Sequence, residues 1–271
     1  AAVAGFDEHT RTEAAGRLGI RLSITGKGGA GKTFISSVVA RTLAQRGRQV
    51  LAVDLDTCPG LSISLGIGSG DEGALPLEAL EENPGASYGW QLGHSYTPRQ
   101  VVENFAVEGP DGVRFLSLGK IASEDKTAAK RSVVALVQLL LGFGDAEWDV
   151  VADMEAGPTT PFERYHSFSD LMLVVYGPAW RSAMTAHRLL TVVGPRGGEL
   201  IANRFRDEME RPGLSPLARI PADPEVAEAE RLGLAPMDAC PDAPAVVAVR
   251  RLTETHLLDR NLNQPKEAVS P

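Results

Sequence analysis

Apolar and β-branched residues collect in short runs, separated by longer stretches where apolar positions recur every three or four residues. The runs are Arg21 to Thr25, Gln49 to Asp54, Val113 to Leu118, Asp149 to Met154, Leu171 to Tyr176 and Glu199 to Asn203. A weaker one spans Leu217 to Ile220. Unbroken apolar stretches, such as those at Gln49 and Leu171, suit strands covered on both faces, which is how parallel sheets read. Between the first two runs, Lys32 to Arg46 predicts a helix. Phe34, Ile35, Val38, Val39 and Leu43 share one stripe, and Gly47 supplies the stop. Further helices are predicted over Lys130 to Leu141, Trp180 to Val193 and Ala245 to Leu258. The alternation implies an α/β fold, a mainly parallel sheet covered by helices on both faces.

The stretch from Gly66 to Gly112 breaks the pattern. It is rich in Gly, Pro and acidic residues and reads as an irregular insertion within the same domain. Residues 21–259 are expected to form that single domain. Residues 1–20 are an extension left out of the fold, and residues 260–271 a polar tail. The 271 residues suffice for a well-buried core without disulfides or metals.

Charge and cysteine content narrow the function. Lys plus Arg number 27 against 35 Asp plus Glu, a formal charge of −8, which disfavours general nucleic-acid binding. Cys58 and Cys240 are far apart and suggest no disulfide framework, so a cytoplasmic setting is expected. The opening residues, with Asp7, Glu8 and Glu13, do not read as a secretory signal. No apolar run reaches the roughly 18 to 20 residues of a membrane helix.

Gly26-Lys27-Gly28-Gly29-Ala30-Gly31-Lys32-Thr33 fits the phosphate-loop pattern G-x-x-x-x-G-K-S/T, between a predicted strand and a predicted helix. Glycines let successive N–H groups face phosphate oxygens, and the helix start adds its positive end. Lys32 is placed to neutralise the β- and γ-phosphates, and the Thr33 hydroxyl to ligate Mg²⁺. Downstream, the apolar strand from Asp149 ends in Asp153, the arrangement in which an acid orients Mg²⁺ or its water shell. Asp149, at the other end of that strand, reads as an ordinary surface acid. Asp54 and Asp56 follow the second strand, at the end where α/β sheets bind ligands.

With Lys27 directly after the first glycine, the loop resembles the deviant Walker A class, which includes the MinD and ParA positioning ATPases and the nitrogenase iron protein. The resemblance implies that Lys27 reaches across a homodimer to the partner's nucleotide. It also implies that Asp56 first, and Asp54 second, organise Mg²⁺ and the attacking water. Relatives continue D-x-D-P, whereas here Thr57 and Cys58 precede Pro59.

A closer likeness is to the accessory ATPase that inserts nickel into carbon monoxide dehydrogenase. It is carried by Asp153-Met154-Glu155-Ala156-Gly157, Pro178-Ala179-Trp180-Arg181-Ser182, Gly119-Lys120, Asn203-Arg204, Ile220 to Val226 and Pro241 to Val246. The resemblance implies that Asn203 reads the adenine edge beside Arg204, that Pro221, Asp223 and Val226 line the other side of the base, and that Gly157 and Glu155 sense the γ-phosphate. Those relatives carry a Cys-x-Cys pair after the Gly-Lys, and Ile121 to Thr127 here has none, so no nickel site is expected. The five histidines show no ligand-like pairing.

The expected function is therefore a Mg²⁺-dependent ATPase, a homodimer closed by ATP and opened by hydrolysis to ADP, acting on a protein client. The alternative is a nucleotide-dependent positioning or scaffold protein with little turnover. A partition protein on DNA is disfavoured by the charge. A membrane-bound regulator would need a terminal amphipathic helix, and the last predicted helix, followed by the polar tail from Asp259, is expected to pack on the body instead.

Overall fold

The computed structural model describes residues 19–56, 60–68, 79–85, 90–93, 96–118, 136, 139, 140, 142, 148–154, 168–193, 197–210 and 213–258. The apolar runs form the strands β1 (Arg21–Gly26), β2 (Val50–Leu55), β6 (Arg114–Ser117), β7 (Asp149–Met154), β8 (Leu171–Tyr176), β9 (Gly198–Phe205) and β10 (Ala218–Pro221). With a short edge strand, β5 (Val107–Glu108), they build an eight-stranded sheet ordered β10-β9-β8-β1-β7-β2-β6-β5. All pairings are parallel except that of β5 with β6.

Every residue of β2, β7 and β8 is buried, because both faces of the sheet are covered. Val50, Ala52, Val151, Leu173 and Val175 face one core, together with helices α1 (Lys32–Gln45) and α7 (Pro244–Leu252). Their neighbours along the strands face the other side. There Leu51, Val53 and Val150 pack with Val101 and Val102 of α3 (Pro98–Phe105) and with Leu136, Leu139 and Leu140. Met172, Val174 and Tyr176 pack under α4 (Trp180–Val193). This is the two-sided parallel sheet that the alternation predicts.

Helix α1 lies deep in the molecule and is buried almost all round. Ser36 and Ser37 turn their hydroxyls back onto Lys32 O and Phe34 O, at 3.0 and 2.9 Å, which satisfies them inside the core. Gly47, at φ 77°, ends the helix: its N–H donates to Ala44 O at 2.9 Å and that of Arg48 to Leu43 O at 3.2 Å, a Schellman closure. The predicted last helix starts at Pro244, whose missing N–H suits a first turn. It then widens into a π-turn over Thr253–Leu257, which keeps Leu257 buried.

Two expectations need correction. The stretch 66–112 is not irregular throughout: its described part holds a β3–β4 hairpin (Leu80–Glu82 and Trp90–Leu92), α3 and β5. Helix α3 carries a signal in the sequence, a capping box in which Thr97 and Gln100 satisfy each other's backbone N–H. Asp149 is not a surface acid. It is fully buried and accepts from Ile20 N at 2.7 Å and from Arg48 Nε and Nη2 at 2.7 and 2.6 Å. The helix predicted at Lys130 to Leu141 lies largely outside the described residues.

Candidate functional site

The loop between β1 and α1 is a tight turn closed by Ala30 N donating to Lys27 O at 3.1 Å. Gly29 and Gly31 adopt φ values of 76° and 89°, where L side chains are strained. Gly31 is doubly constrained, because a Cβ there would lie 2.1 Å from Asn203 Nδ2. A Cβ on Gly26 would strike Val175 O of β8 at 2.2 Å. Lys27, Gly28 and Gly29 are exposed, while Lys32 is only 6% exposed at the start of the buried helix. The loop thus offers backbone N–H groups, a helix start and a largely buried ammonium on one side.

The parallel register brings the acids to the same edge. Asp153 of β7 lies between Ile24 of β1 and Asp54 of β2. Thr33 Oγ1 donates to Asp153 Oδ2 at 2.6 Å. The other oxygen, Oδ1, is buried without a hydrogen-bond partner. Burial pushes the Asp153 carboxyl up to about 7, helped by the charge of Asp54 and, less, of Asp56; the Thr33 bond and Lys32 act against this. Asp54 is also raised, chiefly by burial, against the pull of its bonds from Leu61, Asp56 and Gly60. Asp56 is half-buried beside them.

Such a cluster is short of positive charge. A hydroxyl and an orphaned carboxylate oxygen, with two further acids beside them, make a hard oxygen site that fits a Mg²⁺ ion. Among the described residues no group of three or more His, Cys, Asp or Glu side chains converges as a metal cage. Mg²⁺ does not need one, since it keeps several waters and binds through one or two protein oxygens plus substrate phosphates.

Next to the loop is a cavity of about 410 Å³, lined by Phe34, Pro178, Asn203, Pro221, Val226 and Glu230 among others. Its size and mixed lining are those of a small-ligand site. Asn203 is 3% exposed, and its Nδ2 donates to Ala30 O at 2.8 Å, so its amide also braces the phosphate loop. Arg204, at φ 53°, sends Nη1 to Gly29 O at 3.3 Å and Nη2 to within 3.6 Å of Glu230. Pro221 ends β10 at the cavity wall. Asp223 lines the cavity, but its carboxylate is taken up structurally. It caps α5 (Pro224–Arg231) through Glu225 N and Val226 N at 3.0 and 3.3 Å, and it accepts Ala245 N of α7 at 3.1 Å.

The glycine loop, the acidic residues and the cavity lined by Asn203 and Pro221 therefore meet at the carboxyl ends of the central strands, where open α/β sheets bind ligands. Phe34 and Glu230 line the same cavity and were not singled out from sequence. Glu230 shares a face of α5 with Val226 and Ala227, a spacing that could have marked it. Thr57, Cys58, Pro59, Gly119, Lys120, Glu155 and Gly157 lie outside the described residues.

The nucleotide binding domain described as CobQ/CobB/MinD/ParA matches residues 22–237, most of the chain. The chain belongs to that family. An uncharacterized ATP-binding protein of Methanocaldococcus jannaschii is 30% identical over 230 residues, covering 78% of this chain and 88% of that protein. The carbon monoxide dehydrogenase accessory protein CooC of Rhodospirillum rubrum is 29% identical over 179 residues, 63% of this chain and 67% of that protein. Among solved structures, the septum site-determining protein MinD of Pyrococcus horikoshii, complexed with Mg-ADP, superposes with a TM-score of 0.61. It is 20% identical and covers 88% of this chain and 95% of that one. Family membership makes this a nucleotide-binding domain, and the solved structures share its fold. Among the described residues no helix is long and apolar enough to cross a membrane.

Proposed function

We propose that this protein binds ATP with Mg²⁺ and hydrolyses it as a dimeric switch that acts on a protein client. The observation that carries the reading is the Thr33–Asp153 contact with Asp153 Oδ1 left orphaned, set directly under the glycine turn. The turn's N–H groups and Lys32 bind the polyphosphate. Asn203 and Pro221 hold the base in the adjoining cavity, with Arg204 at its rim. Mg²⁺ bound through Thr33 and Asp153 would supply charge neutralisation at the β- and γ-phosphates. Asp56 orients the water that attacks the γ-phosphorus; the bond to the bridging oxygen breaks, and ADP and phosphate leave. The exposed position of Lys27 supports its use on a partner's nucleotide, as in the deviant Walker A class.

Residues 21–259 are taken as the ATPase domain. A reducing cytoplasm suits Cys240, a buried free thiol whose pKa burial raises further, with Asp223 and Glu225 adding to the rise.

Calorimetry with ATP and Mg²⁺, followed by a phosphate-release assay, tests the reading. Lys32→Ala is expected to weaken ATP binding by about 100-fold or more. Lys27→Ala is expected to keep ATP affinity but lose the turnover that rises with protein concentration. Wild-type protein that takes up no adenine nucleotide would overturn the proposal. Nucleotide uptake without phosphate release would favour the scaffold alternative.

A further inference from the structure

Asp54 and Asp153 are adjacent, buried and alike in sequence context, yet their oxygens are used differently. Asp54 accepts Asp56 N on Oδ1 at 3.0 Å, and Gly60 N and Leu61 N on Oδ2, both at 2.9 Å. These donors come from the two ends of the connection between β2 and helix α2 (Leu61–Leu65). The N-cap of α2 is Gly60, which has no side chain to cap with, so Asp54 serves the first N–H groups of that helix from outside it. Bonds from backbone N–H to an ionised carboxylate are stronger than neutral ones. At its other end α2 is held by Arg41 of α1. Arg41 is 5% exposed, reaches Leu65 O at 3.4 Å, and pairs with Asp111 and Asp238 at 2.6 and 2.8 Å.

We infer that Asp54 is a positioning residue, which fixes Asp56 and the start of α2 against the phosphate loop and leaves the cation to Asp153 and Thr33. This deepens the hydrolysis reading and rests on it, because holding Asp56 affects rate only if Asp56 acts on the attacking water. The two acids divide the work. Both oxygens of Asp54 have backbone partners, whereas Asp153 keeps one oxygen with none.

The decisive variant is Asp54→Asn. It preserves volume and one acceptor but removes an acceptor facing the Asp56, Gly60 and Leu61 donors. Hydrogen exchange at the Gly60 and Leu61 amides is expected to accelerate by about 10- to 100-fold, the effect of losing bonds to a charged group. The kcat should fall about 10-fold or more, with KM for ATP and half-saturation by Mg²⁺ moving less than about threefold. Asp153→Asn should do the reverse, raising the Mg²⁺ requirement with exchange at Gly60 and Leu61 unchanged. Two results for Asp54→Asn would overturn the inference: unchanged exchange with a raised Mg²⁺ requirement, or faster exchange with unaltered kcat. If the variant does not fold, the wild type decides. Gly60 and Leu61 amides protected without nucleotide support the inference, and amides exchanging at loop rates refute it. If the wild type releases no phosphate, the hydrolysis reading fails and the exchange data alone judge the anchor.

Discussion

Strand β7 carries a buried aspartate at each end, and its surroundings treat them oppositely. Asp149, at the amino-terminal edge of the sheet, receives an N–H from Ile20 and both arms of the Arg48 guanidinium. The same contact raises the Arg48 pKa. Asp153, at the carboxyl edge, has one hydroxyl donor and one bare oxygen, and its neighbour in register is another acid. A buried charge with all its donors is a structural joint, and one without them marks a place where a cation belongs. The identical residue type, four positions apart on one strand, serves both ends.

The largest expected effect comes from breaking the satisfied end. Asp149→Ala removes the buried carboxylate that pairs with Arg48 and leaves the Ile20 N–H without its acceptor, and should cost about 3 to 5 kcal/mol in urea unfolding while leaving Mg²⁺-nucleotide affinity unchanged.

The second prediction concerns the unsatisfied end. Burial, helped by the charge of Asp54, raises the folded Asp153 carboxyl to about 7, against an ordinary value of 3.8. A raised folded pKa means that its contribution is fully present below about pH 4 and is lost as the pH climbs through 7. The loss amounts to about 4 kcal/mol at most. Stability measured from pH 4 to 8 should therefore slope downward in the wild type, and Asp153→Asn should flatten that slope. A slope unchanged by Asp153→Asn would remove the electrostatic contrast between the two ends.

The smallest effect is expected at the cavity beside Asn203. Asp223→Ala loses the α5 cap and its link to α7, at about 1 to 2 kcal/mol, with only a modest change in ATP affinity. A large affinity loss without destabilisation would show its carboxylate reading the base directly.

Much of this molecule was legible in its sequence where one local signal sufficed. The limits of β7, β8 and α4 were read to the residue, because unbroken apolar runs and an amphipathic stripe leave few alternatives. The phosphate turn was legible because its glycines answer local steric demands. What escaped depends on distant partners. Asp149 looks like any strand-edge acid until Ile20 and Arg48 are brought to it, 129 and 101 residues away. The family resemblance implies a contact of Asn203 with the base, but its bond to Ala30 spans 173 residues, beyond the reach of any spacing rule. Helix α3 is hidden for another reason: its capping box is present in the sequence, but the glycine and proline around it mask the periodicity.

The Asn203 amide, wedged against Gly31 and tied to Ala30 O, mechanically joins two compartments of the cleft. If the cavity holds the nucleoside as proposed, its occupation should tighten the phosphate loop, and adenosine and pyrophosphate should each bind better in the other's presence. The ratio of each affinity with and without the other ligand would measure the coupling carried by that amide bridge.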